Sequence, residues 1–167
     1  SPMGDAEFVA SAQVDDRGAQ TRAFLAAPID RADIEAQFSD HLATTRVTSW
    51  DDAVLSARTR ERVMLGAVLM LEREVSATPD ETNDAFRTML QKSGLSRLAW
   101  TANAEGLRLR LRFMHAMDPG WPAVEDDDLI ATITPADASD LASLLLERLT
   151  WQQRGRLDEL AATHITL

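Results

Sequence analysis

The rhythm of hydrophobic and polar positions changes once along the chain, near residues 75–78. Before that point the pattern is short and extended. Residues 7–14 and 21–29 read as two strands, and Asp15, Asp16, Arg17 and Gly18 supply the turn chemistry of a β-hairpin between them. Asp30 is placed to cap a short helix over 31–38, with Ile34 and Phe38 four residues apart on one face. Residues 46–50 and 53–75 then read as strands around an Asp51-Asp52 turn. The second run is too long for one strand and should bend near Gly66. Five short strands and one helix predict a small antiparallel barrel or a curled sheet.

Beyond the change the apolar positions take helical spacing. Thr78-Pro79-Asp80-Glu81 combines a capping threonine, a proline at the first helical position and a glutamate three residues after the cap, and Gly94 stops that helix. Arg108-Leu109-Arg110-Leu111-Arg112 alone would alternate like a strand. The Leu107, Leu111, Met114 spacing and a Thr101 cap predict a helix over 102–117 instead, ended by Asp118-Pro119-Gly120. Thr134-Pro135-Ala136-Asp137 should open another helix to about Leu149, and Thr150 should cap one running to Ala161, with 164–167 extended. The fold class expected is α+β, a β domain over residues 5–75 followed by a helical domain over 76–167.

Composition narrows the classes. Hydrophobic residues at 45% and charged residues at 26% are those of a globular chain, which sets aside a disordered or fibrous one. No apolar run approaches the ~20 residues of a bilayer span, and no basic-then-apolar leader opens the chain, so the expected address is cytoplasmic. Zero cysteines exclude disulfides, thiolate metal sites and a catalytic thiol. The net charge of −10 argues against a generic polyanion binder.

Catalytic chemistry is thin. Lys92-Ser93 is the one pair able to end a phosphate-binding loop, and no glycine precedes it at the spacing that lets backbone N–H groups approach phosphates. His41, His115 and His164 are far apart, without a second ligand on a shared helix face, and Glu125-Asp126-Asp127-Asp128 fits a helix start better than a metal site. Trp50, Trp100, Trp121 and Trp151 sit at element boundaries, where corner packing is expected ahead of base stacking. The remaining feature is basic: Arg58, Arg60 and Arg62, two residues apart on an extended strand, share one face. They are the candidate nucleic-acid-binding residues, against the alternative of a solvated sheet face.

Several stretches taken in order resemble one family. They are 22–30 (RAFLAAPID), Ser49-Trp50-Asp51, 65–69 (LGAVL) ahead of Glu72-Arg73, Gly94-Leu95 with Leu98-Ala99-Trp100, Trp121-Pro122, 151–154 (WQQR) with 156–160 (RLDEL), and Thr163-His164. The set is similar to the C-terminal region of HrpB-type helicases, bacterial ATP-dependent enzymes of the DEAH-like group in superfamily 2. The resemblance implies a fragment lying after the two motor domains, with an OB-like antiparallel β barrel or curled sheet followed by a helical appendage. It implies an accessory module of an ATP-dependent RNA or DNA helicase, guiding single-stranded nucleic acid and bracing the motor domains of the same polypeptide, with no membrane contact. ATP and magnesium would belong to those motor domains, leaving no cofactor, metal or catalytic residue in this chain and no ATPase activity of its own. A different class of function is an acidic protein–protein docking module without nucleic-acid contact, which the net charge favours.

Overall fold

The computed structural model describes residues 7–15 and 22–163. Two antiparallel strands come first, β1 (Phe8–Asp15) and β2 (Arg22–Ile29), paired from Phe8 opposite Ile29 to Asp15 opposite Arg22 with an irregular register around Gln13. The expected Asp16-Arg17-Gly18 turn lies outside the described residues. α1 (Arg31–Gln37) follows, beginning after Asp30 as expected, although Asp30 makes no side-chain cap bond.

The next three strands, β3 (Leu42–Asp51), β4 (Ser56–Leu65) and β5 (Val68–Val75), form a second sheet in the order β3-β4-β5. The long apolar run breaks where the glycine sits. Gly66 adopts φ +58, a left-handed conformation that suits a two-residue hairpin loop, and Leu65 pairs with Val68 across it. Residues 52–55 join β3 to β4, too short a connection for anything but antiparallel strands. Asp51 Oδ1 accepts from the Ala53 N–H at 2.9 Å in that turn, and Leu55 takes φ +51.

The expectation of an OB-like barrel is corrected in one respect. Among the described residues the strands form separate two- and three-stranded sheets and no barrel closes. Closure needs one continuous ladder around the ring, and the ladder is interrupted after β2, where α1 and a turn of 3₁₀ helix at Ser39–His41 intervene before β3. What stands is an α+β chain of antiparallel sheets followed by helices.

The helices are α2 (Pro79–Ser93), α3 (Ala102–Met117), α4 (Asp126–Ile130), α5 (Leu141–Glu147) and α6 (Trp151–Thr163). Thr78 and Glu81 close a reciprocal capping box on α2, and Gly94 ends it at φ +82. Thr101 Oγ1 accepts from the Ala104 N–H at 3.2 Å, so the Arg-Leu alternation lies on a helix. Thr150 and Gln153 cap one another at the start of α6. Only the Thr134 prediction is displaced. Thr134 N–H and Oγ1 both donate to Asp137 Oδ2, at 2.8 and 2.7 Å, folding 134–137 into a turn. The helix starts later, at Leu141, because Asp140 offers the better cap, accepting from Ser143 N–H at 3.0 Å and Ser143 Oγ at 2.7 Å.

The chain divides into two compact units. One holds the described residues up to Val47 together with Thr59–Val75, and the other holds Thr48–Arg58 with the described residues from Ser76 on. The tip of the β3-β4 hairpin thus goes with the helices. There Trp50 packs against the helical core, its ring 4.9 Å from that of Phe86. That core is a contiguous cluster in which Leu90, Leu111 and Leu145 are fully buried, with Leu95, Trp121, Leu129 and Ile133 beside them. The strand-rich unit is lightly packed by comparison: of its described side chains, Ile34, Thr59 and Met70 are buried.

Candidate nucleic-acid interface

β4 carries the three candidate arginines, and its pleat does what period 2 requires. Arg58, Arg60 and Arg62 lie on one face, while Thr59, Glu61 and Val63 alternate onto the other. Thr59 is fully buried and Arg60 is about two-thirds exposed, so the arginine face is the solvent face at this point of the strand.

None of the three stands alone. Arg58 Nε meets Asp51 Oδ2 at 2.7 Å, Arg60 Nη1 lies 3.8 Å from Glu72 Oε1, and Arg62 Nε donates to Glu72 Oε2. The β4-β5 register explains the shared glutamate. Arg62 pairs directly with Glu72, and Arg60 is opposite Glu74 with Glu72 on the diagonal. The other face repeats the device: Glu61 takes Arg73 at 2.5 Å and Arg46 at 3.6 Å. The stripe is thus a row of guanidinium groups held in register by two carboxylates. Exposed pairs of this kind contribute little to stability, about 0–1 kcal/mol each, and exchange readily for another anion.

The other sequence candidates are dispersed. Lys92 and Ser93 end α2, where Ser93 Oγ donates to the Met89 carbonyl. His41 is exposed, His115 Nδ1 lies 2.6 Å from the Trp121 carbonyl oxygen, and His164 is outside the described residues. Glu125 and Asp128 close a capping box on α4, while Asp126 and Glu125 pair with Arg108 and Arg112 of α3. Among the described residues, no group of three or more His, Asp and Glu is arranged to hold a metal ion.

The tryptophans divide. Trp121 is buried, and Trp50 and Trp100 pack on the helical core, as corner packing requires. Trp100 Nε1 donates to the Leu95 carbonyl at 2.9 Å, and the Arg108 guanidinium lies 5.1 Å from its ring centre. Trp151 departs from that expectation. It is 81% exposed at the first turn of α6, where Gln153 and Arg154 are tied to the Gly120 and Leu146 carbonyls and Leu157 fills the core position. The spacing from Leu157 would have revealed this, since six residues put Trp151 far round the helix from the buried face.

Two charged groups act structurally. Burial lowers the Arg148 guanidinium from its usual range, and Asp128 partly offsets this. The side chain ties α4 to the residues on either side of it by donating to Ala123 O at 3.3 Å, Asp128 O at 2.9 Å and Thr132 Oγ1. Asp140 is held below the ordinary carboxylate value first by the Ser143 backbone N–H and then by the Ser143 hydroxyl.

Comparison with known proteins supports a helicase-associated region. The particular relative is the ATP-dependent RNA helicase HrpB of Escherichia coli (strain K12), 27% identical in a 163-position alignment that covers 87% of this chain and 20% of the relative. The chain thus spans about a fifth of the length of the curated relative it matches, consistent with a C-terminal region of a bacterial DEAH helicase. Two solved structures are similar as well. A crystal structure described as the E. coli DExH-box NTPase HrpB aligns at 26% identity and TM-score 0.46, over 92% of this chain and 21% of that one. Another, described as the DEAH/RHA helicase HrpB, aligns at 28% and 0.47, over 71% and 17%. No family model matches the chain.

Proposed function

We propose that this chain is an accessory module of an ATP-dependent helicase, and that the arginine face of β4 guides single-stranded RNA or DNA while the module braces the motor domains of the same polypeptide. The observation that carries the reading is the sequence likeness to HrpB along most of the chain. In this reading the strand-rich unit takes the place of an OB-like domain, and ATP and magnesium bind in the motor domains. The three arginines repeat every second residue along an extended strand, some 6–7 Å apart, a spacing that suits successive phosphates of an extended single strand. Their carboxylate partners keep the guanidinium groups aligned and yield to phosphate at small cost, because the pairs are solvent-exposed.

Asp51, Glu72 and the net charge of −10 favour a second reading, an acidic docking module that contacts protein alone. Salt dependence separates the two. Anisotropy of a labelled single-stranded RNA across a salt series should give a log–log slope that falls in magnitude by roughly two units when Arg58, Arg60 and Arg62 are all replaced by Ala, at about 0.7 per lost phosphate contact. An unchanged slope in the folded triple variant leaves the docking reading.

A further inference from the structure

Helix α3 is apolar on two sides. At 3.6 residues per turn, Ala104, Leu107 and Leu111 fall on one face, where they are buried in the core. Leu109, Phe113 and Met117 recur at i, i+4 and i+8 on the opposite face, 69%, 62% and 71% exposed. Gly106 lies along the same outer side, where an added Cβ would meet nothing within 4 Å, so another backbone can come close. At the head of the stripe Leu109 forms one wall of an open cavity of about 370 Å³ that Leu95 and Trp100 also line. The cavity is preformed, since the indole of Trp100 is fixed by its bond to Leu95 O and by the Arg108 guanidinium over its ring.

The charges beside the stripe say what fits it. Arg108 and Arg112 are already neutralised by Asp126 and Glu125. Two groups on opposite flanks have no ion partner among the described residues: Glu105 on the cavity side, and Arg110, whose Nε reaches only the Gly106 carbonyl at 3.4 Å. We infer that the outer face of α3 docks an amphipathic helix from a protein partner, its apolar residues along Leu109, Phe113 and Met117, an acidic residue against Arg110 and a basic residue against Glu105. Complementary flanks around an apolar seam are the recognition mode of paired helices.

Other occupants fit less well. A nucleic-acid strand would find one uncommitted cation on this face and an opposing carboxylate across from it. A second copy would have to overcome a net charge of −10 on each chain, and three side chains offer roughly 400 Å² against the ~800 Å² per partner of a stable dimer. The inference stands on α3 alone and is independent of the β4 reading.

The test uses the full 167-residue chain and two synthetic helical peptides, each with leucines at i, i+4 and i+8. One carries Glu on one flank and Lys on the other; the second carries Lys on both. Titration calorimetry should show the mixed peptide binding about fivefold tighter than the all-Lys peptide. Arg110→Glu should reverse that order, and the Phe113→Glu, Met117→Glu double variant, folded by circular dichroism, should lose at least ~20-fold for both. Absence of binding by the mixed peptide, or affinities indifferent to Arg110→Glu, overturns the proposal. So does a dimer in sedimentation that the double variant dissolves, which would make a second copy the occupant, or loss of single-stranded RNA binding in that variant, which would make it nucleic acid.

Discussion

The strand-rich and helical units both carry arginine–carboxylate pairs at the surface, and they differ in what lies beneath them. In the helical unit a contiguous apolar cluster carries the structure, and Arg148 is drawn in as a strut that donates to two backbone carbonyls and a hydroxyl. In the strand-rich unit Arg31, Arg46, Arg60, Arg62 and Arg73 each have a carboxylate within 4 Å over few buried side chains, and the guanidinium groups of Arg60 and Arg73 are mostly in water. The difference teaches where interaction can be offered without loss of fold. An arginine that ties α4 to its neighbours cannot leave its carbonyls, whereas one paired with an exposed glutamate can exchange it for phosphate.

The contrast breaks most sharply in the helical core. Leu145→Ala, at a fully buried site, should cost about 3–5 kcal/mol and melt the helices early in urea followed by circular dichroism. A loss under 1 kcal/mol would mean that the cluster is not what holds this unit. Trp121→Ala should be of similar size and Trp151→Ala within about 0.5 kcal/mol, because the second ring is already in water.

Arg148→Met should cost about 2–3 kcal/mol, since it strands the acceptors in and around α4, whereas Arg60→Gln in the sheet, at an exposed pair, should change stability by less than about 1 kcal/mol. Comparable losses at the two sites would erase the distinction between strut and surface pair.

The smallest effect is at Asp140. Its carboxyl is lowered below 3.8 in the folded chain by the Ser143 backbone N–H and then the Ser143 hydroxyl, so its stabilising effect is fully present above the ordinary carboxylate value. It is lost as pH falls through the lowered folded value. Thermal melts between pH 5 and 2 should show a flatter acid limb for Asp140→Asn than for the parent, and parallel curves would refute the cap.

Local chemistry made much of this fold readable. Thr78, Pro79, Glu81 and Gly94 state the two ends of α2 without reference to the rest of the chain, and Gly66 marks the break between β4 and β5 because its backbone conformation suits glycine. Thr134 misled because it competes with Asp140: both are capping residues, but Thr134 is drawn into a turn with Asp137 while Asp140 accepts from Ser143, ahead of the buried Leu141 and Leu145. The alternation also placed Arg58, Arg60 and Arg62 on one face. The pairing of Arg60 and Arg62 with Glu72 depends on the register, yet once Gly66 is taken as the hairpin loop, counting outward sets Arg62 near Glu72. Nothing local forecasts that the strands form separate sheets, since that depends on what β2 meets after α1.

Glu72 offers the most direct test of the nucleic-acid reading, because it is the anion that phosphate would have to replace. If the arginines of β4 contact phosphates, Glu72→Gln should tighten single-stranded RNA binding by about 3- to 10-fold at low salt, and Arg60→Ala with Arg62→Ala should abolish the gain. Glu147→Gln, on an exposed residue at the end of α5, makes the same change of net charge elsewhere and should leave affinity within about twofold. Equal gains from Glu72→Gln and Glu147→Gln, or none from either, would contradict a phosphate-contacting face on β4.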